Sequence, residues 1–73
     1  IWVFDNEPRN REVVSRIEKI INRGDKVVIW PSNVKEKDVN EMILAKYDIC
    51  TILESSTYSE LKAKLKLNLW KKV

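Results

Sequence analysis

The chain has 73 residues, a net charge of +3, no histidine, one cysteine and one glycine. That length makes one domain or part of one, with roughly 60% of the unfolded chain's surface available for burial. Without histidine the usual general base and the common zinc ligand are excluded, and a lone Cys50 excludes a disulfide framework or a zinc finger. No apolar run approaches the ~20 residues of a membrane span, and there is no signal-peptide layout.

These features point to a reducing, cytoplasmic setting and to no membrane partner. Ile1 lies inside an apolar run with no lead-in, which leads us to expect a piece of a longer chain. Cys50 has no histidine to activate it, so core packing is its expected role. The charged fraction of 34% exceeds the usual quarter. Lys62, Lys64, Lys66, Lys71 and Lys72 crowd the C-terminal end, whereas Asp5, Glu7 and Glu12 lie near the start. A pI near 9.1 agrees with a nucleic-acid partner and does not establish one.

In chain order, Ile1-Trp2-Val3-Phe4 is short and apolar, and stops at the turn cluster Asp5-Asn6-Glu7-Pro8. A continuous apolar run predicts a strand covered on both faces, as in a parallel sheet. From about Arg9 the period becomes helical, with Val13, Val14, Ile17, Ile20 and Ile21 at steps of three and four. Arg23-Gly24 ends that helix, glycine being the cheapest left-handed cap. Lys26-Val27-Val28-Ile29-Trp30 is a second strand, halted by Pro31.

Strand, helix and strand with short turns make a βαβ unit, which is expected to be parallel and right-handed. The fold class expected is therefore α/β, with parallel strands at about 1–5 and 26–30 and additional C-terminal helices, all in a single domain spanning 1–73.

Asp38-Val39-Asn40-Glu41 has the form of a capping box and precedes a short helix burying Met42, Ile43 and Tyr47. Asp48 is a cap for a further turn carrying Ile49, Ile52 and Leu53. Thr57-Tyr58-Ser59-Glu60 reads as another capping box, followed by Leu61, Leu65 and Leu69. Residues 61–69 also alternate leucine or alanine with lysine or asparagine, the pattern of a half-buried strand. Leucine, lysine and alanine are strong helix formers, and with the capping box they favour helix.

In open α/β sheets, sites form beyond the carboxyl ends of the strands. Asp5 and Glu7 fall there, beside the loop that follows Trp30. Two carboxylates at a strand end can hold a hard cation such as Mg²⁺. The same two side chains can equally cap the next helix and complement its dipole. Asp38 faces the same choice between cap and chemistry. Lys37, Arg9 and Arg11 are candidate phosphate contacts, or solvated side chains. The tryptophans at 2, 30 and 70 are expected in the core rather than as base-stacking platforms. The C-terminal lysines read first as a solvated face and second as a phosphate-contacting stripe.

Val3-Phe4-Asp5-Asn6-Glu7-Pro8-Arg9-Asn10, then Val27-Val28-Ile29-Trp30-Pro31, then Lys37-Asp38-Val39-Asn40-Glu41-Met42 together resemble the Toprim domain of phage DNA primases of the T4-like type. The resemblance covers nearly the whole chain. It implies a C-terminal Toprim fragment of a primase that makes short RNA primers. Asp5 and Glu7 would match an Asp-x-Asp pair that binds Mg²⁺ (or Mn²⁺), the second member here being glutamate. Lys37-Asp38-x-Asn40 looks like the Lys-Asp-x-Asn element of that group, with Asp38 as an auxiliary acid.

The implied partners are a single-stranded DNA template, ribonucleoside triphosphates and a replicative helicase, in the host cytoplasm if phage-encoded. Toprim domains also carry a glutamate on an earlier strand, and no residue here matches it. The fragment alone is therefore expected to be catalytically silent. The alternatives are a Toprim nuclease or topoisomerase fragment, and a non-catalytic module docking on helicase or DNA through its lysines.

Overall fold

The helical spacing that begins near Arg9 yields α1 (Arg11–Asn22), whose buried face is Val14, Ile17, Ile20 and Ile21 in a computed structural model describing residues 1–73. Its N-cap is Asn10, whose side-chain oxygen accepts the N–H groups of Glu12 and Val13 at 3.0 and 3.3 Å. That leaves the capping role suggested for Asp5 and Glu7 to neither of them. After α1, Gly24 takes a left-handed φ of 84°, and the N–H groups of Gly24 and Asp25 return to the carbonyls of Ile21 and Ile20. A β-carbon is disfavoured in that region.

The run Lys26–Trp30 forms the middle of the molecule. Alternation along the chain sends Val27 and Ile29 to one core with the apolar face of α1, and Val28 and Trp30 to a second with Val34 and Met42. This strand is covered on both faces, as its unbroken apolar sequence predicts. Its ladder is short: β1 (Val27–Val28) pairs antiparallel with β2 (Thr57–Tyr58), Val27 opposite Tyr58 and Val28 opposite Thr57.

The first apolar segment departs from expectation. It is not a strand, and it meets β1 only at one parallel bridge between Trp2 and Val27. Two backbone hydrogen bonds make that bridge, Trp2 N–H to the Lys26 carbonyl and Val28 N–H to the Trp2 carbonyl. The expected parallel pair at 1–5 and 26–30 is thus corrected to a mixed α/β arrangement of four helices and a two-stranded antiparallel sheet. The physical reason is position. Ile1, Trp2 and Val3 are exposed, and of the three only Trp2 bonds to the backbone beside β1. Trp2 accordingly leaves the core: its ring stacks on Phe4 and lies beside the Arg23 guanidinium.

Three short helices close the fold. Asp38 caps α2 (Val39–Leu44), and Asp48 caps α3 (Ile49–Ser55) by accepting the Thr51 N–H and hydroxyl. Met42 is fully buried, while Ile43 and Cys50 are exposed, against expectation. Each stands one residue past a neighbour that faces the second core.

Residues 60–70 are helix, α4 (Glu60–Trp70). The capping box expected at Thr57 does not form. Thr57 belongs to β2 and donates its hydroxyl to the Leu53 carbonyl, and Ser59 takes the N-cap position without a side-chain bond. The buried face of α4 is Ala63 and Leu67, packed on α1, with Leu61, Leu65 and Leu69 exposed at 70, 57 and 81%. No helix is long and apolar enough to cross a membrane.

Candidate functional site

The loop between the first segment and α1 carries Asp5, Asn6 and Glu7, and Asn6 fixes it. The Asn6 N–H donates to the Lys37 carbonyl at 2.6 Å. Its side-chain amide donates to the carbonyls of Val34 and Glu36 at 2.9 and 3.0 Å, and its side-chain oxygen accepts the Trp70 indole N–H at 3.0 Å. One residue thus ties the acidic loop to the 34–37 loop and to the end of α4. Sequence reasoning passed over Asn6, because an asparagine between two acids in a turn reads only as a turn former.

This anchoring brings Glu7 against Lys37. The Lys37 Nζ lies 3.2 Å from Glu7 Oε1, and the Asn10 amide donates to Glu7 Oε2 at 2.7 Å. The Asn10 hydrogen bond, then that of Lys37, holds the Glu7 carboxyl below its ordinary range. Lys37 is raised in turn, first by its hydrogen bond and charge contact with Glu7, with smaller contributions from the Asp5 and Glu41 carboxylates. Lys37 is therefore the cation of a small acidic group.

The expected site residues divide. Glu7, Arg9 and Lys37 line one shallow depression with Asn6, Pro8 and Asn10. Asp5 is not among the lining residues; it is exposed, with its carbonyl accepting the Glu7 N–H. Arg11 opens α1 outside that depression. Asp38 is outside it too, with Oδ1 accepting the Glu41 N–H at 2.8 Å. Glu41 closes the local box by accepting the Lys37 N–H at 3.3 Å, one residue before the N-cap. Asp38 therefore has the geometry of a cap.

A divalent ion is what Asp5 and Glu7 suggest. No three or more Asp, Glu, Cys or His side chains gather closely enough to hold one, and both Glu7 oxygens are already engaged. Mg²⁺ usually takes one or two protein carboxylates and completes its octahedron with water and substrate phosphate. Asp5 and Glu7 would be at most part of such a ligand set, and Glu7 would have to give up Lys37 to join it.

Comparison with known proteins adds one strong likeness. The whole chain aligns with a segment of the DNA primase of Enterobacteria phage T4, at 32% identity over 78 aligned residues. The chain spans 23% of that protein's length. It is related in sequence to that part of the primase. No family model matches the chain.

Proposed function

We propose that this chain is the acidic, metal-binding part of a phage-type DNA primase, a Toprim segment in a protein that makes RNA primers on single-stranded DNA. The observation that carries this is the alignment of the entire chain with T4 DNA primase. The loop geometry supports it, since Glu7, Lys37 and Arg9 share one depression and Asp5 stands two residues before Glu7 on the same loop.

In this reading Asp5 and Glu7 are the cation ligands, with Mg²⁺ or Mn²⁺ supplying positive charge opposite the triphosphate of an incoming ribonucleotide. Asn10 holds one Glu7 oxygen in a fixed direction. Lys37 pairs with Glu7; a bound cation would compete for that carboxylate, and the Lys37 ammonium would then be available to a phosphate. Arg9 offers a second phosphate contact on the same rim. Asn6 acts only as a positioning residue, setting the loop against the 34–37 turn. Template, ribonucleotides and helicase are partners of the whole protein.

The test is primer synthesis by the full-length protein on a single-stranded template. Asp5→Asn and Glu7→Gln should each abolish synthesis, while the circular dichroism spectrum stays unchanged. Full activity in either variant refutes the assignment, and template cleavage in place of primer synthesis would move the protein to the nuclease branch.

A further inference from the structure

A second concavity, a cleft of about 670 Å³, shares Asn6 and Pro8 with the depression at the acidic loop. Three elements meet there: the Pro8 turn, the stretch following β1, and the last turns of α4. Its charged lining is entirely cationic: Lys35, Lys66 and Lys72, with no aspartate or glutamate. Half of its six hydrophobic lining residues are aromatic: Trp30, Tyr58 and Trp70. A solvated lysine face would not be concave and ring-lined.

Two of the rings and one of the ammonium groups are held by contacts within the protein. The indole N–H of Trp30 donates to the Phe4 carbonyl at 2.8 Å and that of Trp70 to Asn6 at 3.0 Å. Both polar edges are therefore satisfied inside the protein, and half-buried Trp70 offers the cleft apolar ring surface. Lys66 Nζ stands 5.3 Å from the centroid of the Tyr58 ring, a cation–π contact between two lining residues. The Lys72 N–H donates to the Pro8 carbonyl at 2.7 Å, which fixes the other rim.

We infer that this cleft, lined by Lys35, Lys66, Lys72 and Trp70, binds single-stranded nucleic acid, one base against the Trp70 and Leu69 surface and the flanking phosphates on the lysines. A positively charged groove that tracks the backbone, with aromatic faces for the bases, is the physical requirement for holding a single strand. A duplex keeps its base faces stacked inside and cannot use Trp70. Choosing nucleic acid among anionic aromatic ligands rests on the primase reading. The cleft itself shares no carboxylate with the acidic loop.

The test is a titration of the 73-residue chain with a labelled oligothymidine, followed by anisotropy and by quenching of tryptophan fluorescence, at two salt concentrations. Replacing Lys35, Lys66 and Lys72 by glutamine should weaken binding. It should also lower the log–log salt slope by about 2, at about 0.7 per phosphate on a single strand. A control triple at Lys19, Lys26 and Lys64, which removes the same charge elsewhere, should leave the slope nearly unchanged. Trp70→Leu should weaken binding about five- to a hundredfold, the range expected for losing one stacked base.

Four results would overturn the inference: no binding at low salt, an equal loss in the control triple, inorganic polyphosphate competing as well as oligothymidine, or thymidine triphosphate binding as tightly as the strand. Since the readout is binding to this chain, a parent protein that makes no primers would leave it standing. Failed binding here would equally leave the acidic loop's assignment untouched.

Discussion

The Trp70 indole N–H donates to the Asn6 side-chain oxygen across a sequence separation of 64 residues, at 3.0 Å. The contact sits between the acidic loop and the basic cleft, so a single side chain sets the geometry of both. Asn6→Ala removes three side-chain hydrogen bonds and leaves the carbonyls of Val34 and Glu36 and the indole N–H unpaired. At about 1 kcal/mol each, discounted because these groups are only part-buried, the expected loss is roughly 2 kcal/mol. Urea unfolding should show a lower midpoint at an unchanged slope. A midpoint equal to wild type would mean that the loop is held by other contacts.

The Glu7–Lys37 pair gives the protein a defined acid response. Glu7 is held below its ordinary value of 4.5, by Asn10 first and Lys37 second, and Asp48 is lowered from 3.8 by the Thr51 hydroxyl and N–H. A carboxyl depressed in the folded state contributes stability above its unfolded pKa, and that contribution is lost as pH falls through the folded value. Below about pH 4.5 stability should therefore decline, and Glu7→Gln should make that decline shallower. Lys37 has the opposite sign, since its raised pKa contributes stability below 10.5 that is lost as pH rises beyond it. In Glu7→Gln the Lys37 ammonium, followed by NMR, should titrate at lower pH than in wild type. An unmoved Lys37 titration would show that the ion pair is not populated in solution.

What the sequence disclosed and what it hid follow one physical line. Local patterns were readable where one face is buried: α1 with its glycine stop, the doubly covered strand at Val27–Trp30, and the caps at Asp38 and Asp48. Features set by what lies next door were not. Whether Ile1–Val3 pairs as a strand or touches β1 only at Trp2 depends on tertiary neighbours, which no local pattern records. The leucines of α4 sit on two faces at once, because alternation by two places Leu61, Leu65 and Leu69 on one side and Ala63 and Leu67 on another. Only packing against α1 decides which side is inside. The same holds at the candidate site, where Glu7 and Lys37 were legible as chemistry-bearing residues while Asn6, which joins their loops, carries no signal of its own.

Ala63 decides that choice of face. It is fully buried, in the same core cluster as Leu67 and the apolar face of α1. Ala63→Leu inserts three heavy atoms into a packed contact and should cost about 1–3 kcal/mol, whereas Leu67→Ala should cost about 2–5 kcal/mol through loss of burial and a residual void. Leu65→Ala, on the exposed side, should stay within about 0.5 kcal/mol of wild type. Thermal unfolding of the three variants checks the order. A Leu65→Ala loss as large as that of Leu67→Ala would place the wrong face of α4 against the core.

Asp38 offers the sharpest separation between a structural and a chemical role, because asparagine fills an N-cap about as well as aspartate. Its Oδ1 is committed to the Glu41 N–H at 2.8 Å, and it stands outside the depression that holds Glu7, Arg9 and Lys37. Asp38→Asn keeps the accepting oxygen and removes the charge, so stability should change by less than about 0.5 kcal/mol. Asp38→Ala should cost about 1 kcal/mol, the usual worth of a cap. In the full-length protein, primer synthesis should survive Asp38→Asn while Glu7→Gln abolishes it. If the asparagine variant folds normally and makes no primers, the negative charge at position 38 is part of the chemistry and the cap is incidental.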